Sequence, residues 1–277
     1  MKALEQVWQW KPVTRWLIII GLSLSAVAVV VGLGTIPQPQ AYHHFADTRV
    51  MLKVPNALDV LSNLPFIFVG ALGLYSVARQ CGLTAAQCWA YGTLFLGLIL
   101  TGFGSGYYHL EPDNHRLVAD RLPMTITMAG FMAALLVDRF GSKVLGLLPV
   151  LLMAGIGSVV QWNWSEQKGQ GDLRWYGLYQ GLTIIVGLLL LFLFPSKTVG
   201  TREFVIAAMT NVAAKLFELA DKPIFHLSGF ISGHTLKHLS AGLGFIPLVI
   251  LFSKKITPKT QSNAKSRVAS CGPRLDP

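Results

Sequence analysis

Eight stretches of the chain, each 18 to 23 residues long, carry almost no charge, and this spacing constrains the fold more than any other feature. A bilayer core about 30 Å thick takes roughly 20 apolar residues per helix. The runs that meet this length are Trp16–Ile36, Ala57–Ala78, Ala86–Tyr108, Asp120–Val137, Val144–Trp162, Trp175–Phe194, Glu203–Ala220 and Gly233–Phe252. The seventh is the weakest, because Lys215 and Glu218 lie inside it. None alternates at the strand period, which argues against a β-barrel. The sequence therefore predicts an all-α polytopic membrane helix bundle.

Composition agrees. Hydrophobic residues make up 52% of the 277 and charged residues 13%, about half the ~25% of a soluble domain. Such a chain is neither disordered nor able to cover a cytosolic enzyme with charge. Its net charge of +10 would suggest nucleic acid on a soluble domain, but on a membrane protein it reports cytoplasmic loops. With the N-terminus inside, inner segments and the C-terminal tail hold 14 Lys and Arg against 7 in outer segments. Both termini are expected in the cytoplasm, and no nucleic-acid partner is expected. The first apolar run is longer than a signal-peptide core and lacks a small-x-small cleavage site, so it reads as a retained helix. The chain then divides into an inner N-terminus (1–15), a first helix (16–36), an outer loop (37–56), a helical membrane domain (57–252) and a basic, disordered tail (253–277). Cys81, Cys88 and Cys271 read as reduced thiols.

Ionisable groups inside membrane spans are costly, which makes each a functional candidate. Four segments hold them: Asp59 with Ser62-Asn63, Ser105 to His109, Asp120-Arg121, and His234 to His238. Ser105 and His109 are four residues apart and share a helix face, as do His234 and His238. Two histidines at that spacing can hold one metal ion from one helix. The alternating topology brings the end of the third span and the starts of the fourth and eighth to the same, outer, membrane face. Taken singly, each feature has an ordinary reading. The histidines could serve polar packing or a haem, Ser105 among Gly102, Gly104 and Gly106 could serve close helix packing, and Asp120 could cap a helix. Taken together, three histidines, an acid and a serine at one depth predict a metal-assisted hydrolytic site. Three histidines leave a fourth zinc position for water and lower its pKa. Asp120 would carry its proton to a leaving nitrogen, and Ser105 would donate to the oxyanion.

Ser62-Asn63-Leu-Pro-Phe66, Gly104-Ser105-Gly-Tyr-Tyr-His109, Asp120-Arg-Leu-Pro-Met124 and His234-Thr-Leu-Lys-His238 with Gly242-Leu-Gly244 resemble the alkaline ceramidase family. That family sits within a wider group of seven-helix membrane hydrolases and related receptors. The resemblance runs from about Asn56 to Phe252. It implies seven core helices, here the second to eighth, preceded by one extra helix. It also implies zinc on His109, His234 and His238, Ser105 and Asp120 as catalytic residues, and hydrolysis of a ceramide-like membrane lipid to a sphingoid base and a fatty acid. Ser62, Asn63 and Asp221 are the residues expected to hold the ligands in place. The alternative is a receptor-like relative that binds lipid and keeps a structural zinc. Two departures stand out. Eukaryotic members have an acidic calcium-binding stretch ahead of their first helix. Here Asp47-Thr-Arg49 stands in that region, with Asn56 near the expected glutamate and Asp59 where an asparagine is usual. These are too few carboxylates to expect Ca²⁺, which takes 6–8 oxygens. His-Thr-Leu-Lys-His also lacks the aromatic pair usual between the histidines.

Overall fold

Proline donates no backbone hydrogen bond and holds φ near its helical value, so it suits a first helical turn. Pro12 accordingly opens helix α1, Pro12–Gly32. The computed structural model describes residues 9–80, 82–196 and 200–253. Cys81, Cys271, Lys2 and Lys197 of the charge count, and the basic tail beyond Ser253 lie outside the described residues.

After an outer loop with one 3₁₀ turn, Gln40–His43, come α2 (Ala57–Leu61) and α3 (Leu64–Arg79). Pro65 has no N–H for the Leu61 carbonyl, and Ser62 and Asn63 occupy the break between the two helices. Both donate to the Asp59 carbonyl, at 3.1 and 2.8 Å. Helix α4 (Ala85–Leu110) starts at a capping box, Thr84 exchanging bonds with Gln87. Helix α5 (Asn114–Phe140) starts where Asp113 accepts the Arg116 N–H at 2.6 Å. There follow α6 (Leu148–Gln167), α7 (Arg174–Leu193), α8 (Thr201–Leu219), α9 (Asp221–Ser228), α10 (Gly233–Leu243) and α11 (Ile246–Ser253).

The protein is an all-α polytopic membrane bundle: seven helical segments among the described residues are long and apolar enough to cross a bilayer. Helix α8 forms where the seventh run was expected, but Arg202, Glu203, Lys215 and Glu218 leave it short of the apolarity of the others. Glu218 turns inward to Lys237 of α10 at 2.7 Å, so part of this charge is neutralised within the protein.

Helices α4 and α5 form the centre, with 56% and 61% of their apolar windows buried, against 11% for α1. The outer helix is tied on through Trp16, stacked on Phe140 and Phe194 at 5.1 Å. The α4–α5 seam is made close by small residues. A Cβ on Gly104 would lie 2.0 Å from the Ala119 carbonyl oxygen. That carbonyl is the one Pro123 cannot bond, since proline lacks the i→i−4 donor. Gly102 makes a similar approach to Asn63 and Ile67 of α3, whereas Gly106 faces open space. Gly104 thus sets the distance between the segments holding Ser105 and Asp120. Gly104→Ala must push backbone against backbone, and overpacking of this kind costs about 1–3 kcal/mol. The expected result is a fall of several degrees in the melting temperature of the detergent-purified protein; an unchanged melting temperature would mean the seam is looser than described.

Candidate metal centre

His109 lies in the last turn of α4, and α10 supplies His234 and His238 from its first two turns. The start of α10 is fixed by its caps. Ser232 accepts the Thr235 N–H at 2.9 Å, and Asp221 accepts the His234 N–H at 2.8 Å, satisfying donors that a helix start leaves free. Asp59 ties α2 to this same end, accepting Thr235 Oγ1 at 2.7 Å and Ser232 Oγ at 3.2 Å.

This framework brings three histidines together from sites over a hundred residues apart. Their ring centroids are 4.7–4.8 Å from one another, and all three rings are buried. One nitrogen from each falls within 4.8 Å of the others, close enough to hold one metal ion. His109 Nε2 and His234 Nε2 are 3.3 Å apart. Nitrogens at ~2.0–2.1 Å from a tetrahedral zinc stand about 3.3–3.4 Å from each other, so this pair already has the required spacing. A haem iron between the same two nitrogens would need them on opposite sides of a porphyrin, which 3.3 Å does not allow.

His238 is oriented by α2 and α3. Ser62 Oγ lies 3.1 Å from the Asp59 carbonyl, to which it donates, and 2.8 Å from His238 Nδ1, an arrangement that suits a proton on Nδ1. That tautomer leaves Nε2 with a free lone pair, as a metal ligand requires. Asn63 stands beside it, its amide also on the Asp59 carbonyl. Ser62→Ala removes the bond that sets the tautomer and should weaken metal affinity about 10–100-fold. Competition with a chelator would measure this, and unchanged affinity would show that Ser62 does not orient the ring. Asp221 touches no ring; it holds the backbone of His234 and, through its other oxygen, the Ala46 N–H at 2.9 Å.

Ser105 of α4 and Asp120 of α5 are both buried. They line a cavity of about 490 Å³ between α4, α5, α7, α8 and α10. Of the three histidines only His238 reaches it. Most of its wall is apolar, including Leu98, Met128, Phe131, Ile184, Leu188 and Phe245. His109 and His234 are closed off by the Phe45 ring, 4.6 and 4.5 Å from them.

Three residues at this site carried no role in the sequence reading. Phe45 and Tyr42 come from the loop between α1 and α2, which has no periodicity to announce that it folds over the centre. Tyr42 donates to Glu218 Oε1 at 3.0 Å, and burial pushes its hydroxyl well above the ordinary tyrosine value, so it stays protonated. Lys237 lies between the site histidines, and its position inside a span was the available signal. Its ammonium bonds Glu218 at 2.7 Å and approaches His234 Nε2 to 3.5 Å. His43 is likewise engaged, bonding Tyr108 at 2.8 Å and Asn114 at 2.9 Å.

Asp47 and Asn56, which stand in the region considered for calcium, have other partners. Arg49 donates twice to Asp47, at 2.8 and 2.7 Å, and these bonds hold its carboxyl below the usual carboxylate range. Asn56, in the left-handed region at φ 45°, donates to the His109 carbonyl at 2.8 Å. Among the described residues the three histidines form the one cluster suited to a metal ion. No protein-family model, curated protein or solved structure matches the chain.

Proposed function

We propose that the protein is a membrane-embedded, zinc-dependent hydrolase of a lipid amide bond, acting on a ceramide-like substrate as the alkaline ceramidase resemblance implies. The observation that carries this reading is the meeting, at His238, of a three-histidine cluster with an apolar cavity that also presents Ser105 and Asp120. The donor set favours zinc: three imidazoles, one pair of them at tetrahedral spacing, suit it, whereas magnesium and calcium prefer oxygen ligands.

Zinc bound there would supply Lewis acidity, polarising a carbonyl and lowering the pKa of a water towards ~7. The chain's own residues do the rest. The apolar wall takes the acyl chain and holds the amide beside His238. Asp120 takes the proton of the attacking water on its carboxylate and returns it to the departing nitrogen. Ser105 turns its hydroxyl to the oxygen that becomes negative. Phe45 keeps bulk water from the other face of His109 and His234. The charge bias of the loops orients the molecule with both termini in the cytoplasm and this site near the outer face.

The test is fatty-acid release by detergent-purified protein from a panel of ceramides, with other lipid amides and lipid esters for comparison. The reading expects turnover of at least one lipid amide that stops with a zinc chelator and returns with zinc. Bound metal without turnover of any member would contradict it and favour the receptor-like alternative.

A further inference from the structure

The cavity wall carries five charged side chains, and two of them, Asp120 and Arg121, have no ion-pair partner among the described residues. Glu218 is taken by Lys237 at 2.7 Å and by Lys215. Arg121 lines the same cavity and is only 5% exposed, yet no carboxylate among the described residues lies within ion-pair distance of it. Its Nη2 donates to the neutral Gln38 Oε1 at 2.6 Å, and its Nη1 has no partner among the described residues.

The guanidinium is also held still. It stands 4.1 Å from the Trp162 ring, 4.9 Å from Tyr176 and 5.8 Å from Tyr42. Stacking of this kind stabilises the cation and fixes the plane of its fork. An arginine caged in this way cannot swing out to water, and a buried cation without an anion is costly. A guanidinium whose buried Nη1 has no partner can take one oxygen of a carboxylate in a charge-assisted hydrogen bond.

We propose that Arg121 recognises the carboxylate of a single-chain lipid in this cavity. The ligand is either an acyl chain whose amide nitrogen bears a carboxylate-containing group or the free fatty acid that hydrolysis would release. This deepens the proposed function, since it rests on reading the cavity as the lipid site and names a charged substrate or product class beyond neutral ceramide.

The experiment measures displacement of a fluorescent fatty-acid probe from the full-length protein in neutral detergent by N-palmitoylglycine, palmitate and the uncharged N-palmitoylethanolamine. A charge-assisted hydrogen bond in a buried site implies a preference of about tenfold or more for the carboxylates. Arg121→Gln should bring that ratio to about one while binding of N-palmitoylethanolamine stays unchanged, which also reports that the variant is folded. Gln38→Glu keeps the arginine but supplies an internal partner, and should abolish the preference as well. Preference for N-palmitoylglycine alone would identify the amide-side carboxylate, and an equal preference for palmitate the free acid. Equal wild-type affinity for charged and uncharged ligands, or a preference that survives both substitutions, would overturn the proposal. Binding is read without turnover, so a protein that hydrolyses nothing can still pass this test and an active hydrolase can fail it.

Discussion

Asp120→Asn is expected to leave the metal content unchanged and to lower kcat for lipid amide hydrolysis by about 10²–10⁴-fold, the usual contribution of a positioned general acid–base. The side chain is buried beside Ser105 and lines the cavity, but it is not one of the three clustered nitrogens. Asparagine keeps the shape. What it loses is the ability to take a proton from water and return it to nitrogen. The effect should therefore appear in kcat with KM nearly unchanged, because the acyl chain is held elsewhere in the cavity. Full activity in this variant would exclude Asp120 from proton transfer.

His238→Ala should remove both metal and turnover. Of the three histidines it alone touches the cavity, and its Nδ1 is anchored to Ser62. Losing it leaves two of the three clustered nitrogens, too few for the three protein ligands of a catalytic zinc site. Because even outer contacts of a metal ligand are worth about 10–100-fold in affinity, loss of the ligand itself should cost more than Ser62→Ala. The two variants separate the roles cleanly: Asp120→Asn holds metal and fails in chemistry, whereas His238→Ala fails to hold metal.

The bundle was legible in the sequence because a membrane span leaves a long, uninterrupted apolar run, and seven helical segments of the structure meet that criterion. Helix α8 departs from it for a physical reason, since Glu218 is neutralised inside the protein by Lys237 and Lys215 and the segment need not be uniformly apolar. The histidine cluster was legible as well. His234 and His238 share a face by their spacing, and the span count alone brought His109 to the same end. The roles around them were not. Phe45 and Tyr42 reach the centre from a loop whose path depends on tertiary contacts such as Ala46 to Asp221. The break at Pro65 was visible, but not that it would aim Ser62 at His238. The cage around Arg121 draws on α5, α6, α7 and the outer loop, so no local pattern announces it.

The central claim is that His109, His234 and His238 form a metal centre. The most direct measurement is the metal content of full-length wild-type protein purified in detergent without added metal, compared with His109→Ala and His234→Ala prepared in parallel. The account predicts about one zinc per chain in the wild type, the number that one three-histidine site would hold, and loss of that zinc in both variants. Wild-type protein free of zinc and unable to take it up, or variants that retain the full amount, would contradict it.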